Sequence, residues 1–150
     1  MTEFSSRVLV TPLKKIAHLD GDIFHGMKVD EQGFNGFGEA YFTSIHKDKY
    51  KGWKKHTKMV LNLMIPVGRV TFYIHDETLK KTRFITLGRN LYARITIPPG
   101  LWVAFRGEDD GLNLILNVAS IAHDPIEAVN APIESFSLNG DGYEDNIDGI

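Results

Sequence analysis

His56 stands out among the six histidines of this chain because of its neighbours. It ends the run Lys51-Gly52-Trp53-Lys54-Lys55-His56, a Gly-Trp turn in a basic cluster, and the apolar stretch Met59–Pro66 follows almost at once. A neutral imidazole has an unperturbed pKa of about 6.5, which suits a general base near neutral pH. Lys54 can act as its electrostatic partner, or as the base itself where burial or nearby cations depress the amine. The pair admits three readings: His56 as base beside Lys54, Lys54 as base, or a pocket that binds without turnover. Tyr41 and Tyr73 lie in alternating stretches, the first a candidate for catalysis and the second for substrate contact, with packing as the alternative for both. Asn62 and Asn117 interrupt apolar runs, and a buried amide needs partners. Each is either a satisfied core group or a pocket contact.

Further candidates are spread more widely. Arg69, Arg83, Arg94 and Arg106 fall on several stretches and would clamp phosphates if they converged inside a barrel; otherwise they are surface charges. Trp53 and Trp102 belong to a core or an interface, or stack on a base. Asp124 either orients a histidine or closes the turn before Pro125.

Positioning these residues takes strands. Val8–Val10, Ile23–Val29, Glu39–His46 and Arg69–His75 read as strands, alternating or rich in β-branched and aromatic residues, and Met59–Pro66 is a nearly continuous apolar run, typical of a strand buried on both faces and also compatible with a buried helix segment. Arg83–Leu87 and Leu91–Ile97 read as the next strand pair. Leu101–Arg106 and Leu112–Val118 read as a hairpin around Gly107–Gly111. Asp30–Gly38 and Lys47–Lys58 read as loops, and Pro98-Pro99-Gly100 is the strongest turn signal. After Ser120 the chain reads as a peripheral strap, with Glu127–Asn130 its one helical turn. The tail from about residue 138 to 150 is rich in Gly, Asp and Asn and reads as mobile. Short strands at regular spacing predict an all-β sandwich or barrel, in one domain spanning 1–150.

Composition narrows the function classes. A length of 150 residues suits a single domain. A net charge of −2 gives no nucleic-acid footprint. The chain has no cysteine, which excludes disulfides, thiol catalysis and Cys-ligated metal. The first apolar run is too short for a secretory signal, and none approaches the ~20 residues of a membrane helix. A cytoplasmic protein without membrane or nucleic-acid partners is the expectation.

Spacing now brings in a resemblance. Lys54-Lys55-His56, the positions at Leu61-Asn62 and Gly68 resemble the first half of the cupin signature. Pro98-Pro99-Gly100 and Val103 resemble the second half. In metal-binding cupins three histidines and a glutamate occupy the ligand positions, and His56 alone is retained, so a metal site is not expected. Gly38-Glu39-Ala40-Tyr41-Phe42, Lys51-Gly52-Trp53 with His56, Val67-Gly68-Arg69-Val70, and Ile97-Pro98-Pro99-Gly100-Leu101-Trp102 with Phe105 are similar to one cupin group. That group is the dTDP-4-dehydrorhamnose 3,5-epimerases and the nucleotide-sugar 3,4-ketoisomerases.

The resemblance implies an RmlC-like cupin, a double-stranded β-helix or jelly-roll barrel. It implies metal-independent, cofactor-free proton removal alpha to the ketone of a nucleotide-linked 4-keto sugar, in surface-polysaccharide or deoxysugar synthesis, by a homodimer. Carried onto this chain it implies catalytic His56, Lys54 and Tyr41, and substrate-binding Glu39, Trp53, Asn62, Arg69, Tyr73, Arg94 and Asn117. Three positions depart from the pattern. Lys54 stands where the epimerases keep their base, Leu112–Val118 lacks the usual tyrosine, and Val103 replaces a histidine. A non-catalytic cupin that binds a sugar nucleotide is the alternative.

Overall fold

The computed structural model describes residues 7–139 and the backbone of 143–144. The strands are β1 (Leu9–Pro12), β2 (Lys15–Ile16), β3 (Ile23–Phe24), β4 (Glu39–Ser44), β5 (Tyr50–His56), β6 (Leu61–Val67) and β7 (Arg69–Asp76). They continue with β8 (Lys81–Gly88), β9 (Ala93–Ile97), β10 (Trp102–Gly107), β11 (Leu114–Ala119), β12 (Ala128–Asn130) and β13 (Tyr143–Glu144). One sheet has the order β1-β9-β6-β11-β4 and the other β12-β5-β10-β7-β8-β13, with β2 and β3 as a separate ribbon. A 3-10 turn lies at Ile133–Ser135. The tail expected from about residue 138 falls mostly outside the described residues.

The two sheets face each other as a jelly roll, and much of the chain crosses from sheet to sheet at its turns. Two expectations are corrected by this. Arg83–Leu87 and Leu91–Ile97 do not pair as strands: β8 pairs with β7, whereas β9 pairs with β1 and β6. Leu101–Arg106 and Leu112–Val118 are not a hairpin either, because β10 joins β5 and β7 while β11 joins β4 and β6. Alternation shows that a stretch has one buried face, but both sheets offer the same interior to bury it against. Buried Asn113 fixes the second crossing. Its side chain accepts from the Arg69 and Asp109 amides and donates to the Ile45 and Asp109 carbonyls.

Inward-facing Val70, Phe72, Ile74, Ile85, Leu87, Ile95 and Ile97 form a closed core where β9 faces β7 and β8. Each such side chain contributes roughly 1.5–3 kcal/mol on burial. On the other side, where β4 and β11 face β5 and β10, the interior is left open as a cavity.

Most of the expected basic loop Lys47–Lys58 is strand β5. Lys51, Lys54 and His56 face this cavity, so hydropathy reads the strand as solvated chain. Its alternation is also broken by a bulge. Val103 pairs with Lys54 and Phe105 with Lys51, so Gly52 and Trp53 together oppose Ala104. The extra residue puts Lys51 and Lys54, three apart, on the same inner face. Trp53 points outward and is buried with Tyr73, Trp102 and Ala104. The expected helical turn Glu127–Asn130 is likewise mostly strand, because β12 pairs with the open edge of β5, Ala128 opposite His56 and Asn130 opposite Lys54.

Gly52 is needed at the bulge on two counts. Its φ is +129°, and a Cβ there would sit 2.6 Å from the Ala104 Cβ and 2.8 Å from the Val103 carbonyl oxygen. Gly52→Ala is therefore expected to cost more than about 2 kcal/mol, combining backbone strain with overpacking. Urea denaturation checks this; an unchanged midpoint at unchanged slope would show that the bulge tolerates a side chain.

Candidate active site

The cavity has a volume of about 350 Å³. Its floor is apolar: Leu61, Leu63, Phe72, Val103, Phe105 and Ile115. Polar groups come from four strands. β5 supplies Lys51, Lys54 and His56, β4 supplies Tyr41 and Thr43, β11 supplies Asn117 and β12 supplies Asn130. A second hollow, lined by Glu39, Met59 and His123, adjoins it and shares Tyr41, Lys54 and His56. The signature positions Lys54, His56, Leu61 and Val103 all line the main cavity, and only one of them is a metal-ligand type. Among the described residues no group of three or more His, Cys, Asp or Glu could hold a metal ion.

His56 is anchored from behind. Its Nδ1 is hydrogen-bonded to Glu127 Oε1. The other carboxylate oxygen of Glu127 accepts from the backbone amides of Thr57, Lys58 and Met59 at 3.1, 3.0 and 3.3 Å. Glu127 is only 3% exposed. Burial by itself raises the pKa of its carboxyl. The hydrogen bonds from His56 and from the Lys58 and Met59 amides outweigh that and hold it below the usual carboxylate range. Glu127 is not among the residues expected at the site, because its segment reads as a helical turn in the sequence. Asp124, the carboxylate expected either to orient a histidine or to close the turn, accepts from the Ile126 amide and closes the turn. A lone acid in an otherwise apolar strap segment, Ile126-Glu127-Ala128-Val129, was the one available signal.

Across the cavity, Tyr41 lies directly opposite Asn117 in the β4–β11 ladder. Asn117 Nδ2 donates to the Tyr41 hydroxyl oxygen at 3.1 Å, and Asn117 Oδ1 accepts from the Asn62 amide at 3.0 Å. Lys51 donates to the Ser44 carbonyl at 2.8 Å. Lys54 is exposed, and its side chain has no hydrogen-bond or ion-pair partner among the described residues.

The structure thus brings His56, Lys54, Tyr41 and Asn117 together, with Glu39 at the adjoining mouth. The remaining candidates lie elsewhere. Trp53 borders the cavity, but its indole is on the outer face of the sheet, donating to the Ile133 carbonyl. Asn62 faces away from the cavity, bonded to Thr96 and the Gly33 carbonyl. Tyr73 is on the outer face with Trp53 and Trp102, and burial first of all pushes its hydroxyl up to about 12. Arg94 is fully buried on the outer face of its sheet and donates to the Gly26 and Gln32 carbonyls. Arg69 pairs with Asp109 near the β6–β7 turn, and Arg106 pairs with Asp48 and Glu108. The arginines do not line the cavity. Its cations are lysines.

Several solved structures resemble this chain. A dTDP sugar isomerase from Desulfovibrio desulfuricans G20 is 29% identical with a TM-score of 0.82, the match covering 85% of each chain. QdtA, a sugar 3,4-ketoisomerase from Thermoanaerobacterium thermosaccharolyticum in complex with TDP, is 20% identical with a TM-score of 0.71, covering 82% of this chain and 87% of that one. RmlC, a dTDP-6-deoxy-D-glucose-3,5-epimerase from Legionella pneumophila in complex with dTDP-4-keto-L-rhamnose, is 11% identical with a TM-score of 0.75, covering 85% and 74%. No protein-family model matches the chain, and no curated protein does. Two facing sheets that leave one end of the interior open, and the agreement with these structures over most of their length, give the chain the RmlC-like cupin fold in which sugar-nucleotide epimerases and ketoisomerases are built.

Proposed function

We propose that this protein is an isomerase or epimerase of a nucleotide-diphosphate-linked 4-keto sugar that removes a proton alpha to the ketone. The observation that carries the reading is the His56–Glu127 pair on the cavity wall. An ionised carboxylate only accepts hydrogen bonds, so Nδ1 of His56 must donate to Glu127. That leaves Nε2 with its lone pair available toward the cavity, the tautomer a general base requires. When the ring takes the substrate proton, the resulting imidazolium lies against the Glu127 carboxylate. Lys54, whose side chain has no ion-pair partner among the described residues, is placed to stabilise the enolate oxygen or the diphosphate. The proposal needs no metal ligand set. It takes the whole chain as one cupin domain.

The test is proton exchange. With TDP-4-keto-6-deoxyglucose in deuterated water, deuterium is expected to enter C3 or C5. His56→Ala is expected to slow this by about 100-fold or more, the usual contribution of a general base. Tight binding with no exchange would leave a sugar-nucleotide binding module and end the enzyme reading.

Glu127→Gln makes a second test, because a glutamine amide can donate to Nδ1 and favour the wrong tautomer. The rate is expected to fall by about 10²–10⁴, as when an orienting carboxylate is made an amide in other histidine-based sites. Stability gives the matching pH dependence. The folded value of Glu127 lies below the ordinary 4.5, so its stabilisation is present above that pH and is lost as pH falls through the lower folded value. The wild type should exceed Glu127→Gln by about 1–3 kcal/mol at neutral pH. The gap should close on acidification below that range; a gap independent of pH would show that the carboxylate charge is not what stabilises the fold.

A homodimer belongs to the same proposal. Its support is the outer face of the β4–β11 pair, where exposed Phe42 lies opposite Leu116, with Val67 and Leu112 also exposed. Sedimentation velocity is expected to give a dimer, and Phe42→Asp to shift it toward monomer.

A further inference from the structure

The β11 strand carries Asn117 on the cavity side and no tyrosine, and the cross-strand partners of Asn117 are Tyr41 and Leu63. Asn117 is 1% exposed, so both ends of its amide need partners. The main-chain nitrogen of Asn62 can only donate, so the Asn117 atom 3.0 Å from it is the oxygen. The other end, 3.1 Å from the Tyr41 hydroxyl, is therefore the amide nitrogen. An NH2 group accepts nothing, so the Tyr41 oxygen is the acceptor in this contact. Its own hydrogen must point elsewhere. The Tyr41 hydroxyl has no other hydrogen-bond partner among the described residues, and the side chain borders both hollows.

We infer that Asn117 is a positioning residue that turns the Tyr41 hydroxyl hydrogen into the cavity, making Tyr41 the proton donor on the wall opposite His56. The inference rests on the proton-transfer reading above. It adds which group returns the proton and what aims it. His56 belongs to one sheet and Tyr41 to the other, so a sugar between them meets base and acid from opposite sides.

The step balances. The substrate C–H bond breaks as Nε2 of His56 takes the proton, and the electron pair moves to the ketone oxygen as an enolate. The enolate carbon then takes the Tyr41 proton: a C–H bond forms, the Tyr41 O–H bond breaks and the ketone returns. The phenolate left behind keeps its hydrogen bond from Asn117 Nδ2. Tyr41 is 40% exposed, so water can reprotonate it and take the proton from His56, with no net change.

Asn117→Asp tests the aim of the hydroxyl at nearly constant volume. One carboxylate oxygen still accepts from the Asn62 amide. The other now accepts from Tyr41 and turns its hydrogen away from the cavity. With TDP-4-keto-6-deoxyglucose in deuterated water, N117D and Y41F should both keep His56-dependent exchange at the alpha carbon. Both should lose inversion of that carbon by about 100-fold, and Y41F/N117D should be no worse than Y41F. Affinity for TDP should be unchanged in all three. Inversion by N117D at the wild-type ratio to exchange, or additive losses in the double variant, would overturn the inference. Neutron diffraction of the unaltered protein supplies a readout that needs no turnover. The Tyr41 deuteron is expected to point into the cavity, and a deuteron directed at Asn117 would overturn the assignment. Absence of any exchange in the wild type, with the deuteron placed as expected, would instead count against the sugar-nucleotide reaction.

Discussion

A carboxylate taken out of water must collect enough donors to remain charged, and Glu127 collects four. They are His56 Nδ1 and three successive backbone amides after it. Without them the charged group would cost several kcal/mol or take up a proton. With them it ties three parts of the chain together: the end of β5, the turn into β6 and the strap after β11. Thr57 closes the same knot, its hydroxyl donating to the Glu127 carbonyl at 2.6 Å. The chemistry of the site follows from this knot, because the group that stabilises the strap is also the group that selects the tautomer of His56.

The β pattern was legible because alternation and turn residues are local. Glu39–His46 and Arg69–His75 read as strands and are β4 and β7 to within a few residues. Sheet membership was not legible, since the inner faces of both sheets want the same side chains. β5 was hidden for a different reason: its inward residues are lysine and histidine, and a bulge spoils its period. A strand whose interior face lines a cavity looks like loop to any reading based on hydropathy.

Legibility of the site divides along the same line. The strand alternation that puts Tyr41 and Thr43 on one face of β4 is what brings them to the cavity. The Gly-Trp pair marked the place on β5 where the inner face turns polar. The arginines were misleading because charge alone does not say which face a residue takes. Arg94 shows the point: it is buried, but as an anchor for the loop over the outer face, donating to the Gly26 carbonyl at 2.6 Å. Glu127 had no local signature at all. Its role exists only through contacts about seventy residues distant in sequence.

The strap does two jobs on opposite faces of the same sheet. Inside, it brings Glu127 to His56 and Asn130 to the cavity wall. Outside, Ala131 exchanges two hydrogen bonds with Trp53, and the Phe136 ring stacks on His75 at 4.1 Å. Every other wall of the cavity is made of residues that precede it in the chain. During synthesis the strands β4 to β11 therefore leave the ribosome before the segment that completes their site. Until residue 127 has been added, the growing chain holds the His56 imidazole with no Glu127 carboxylate behind it.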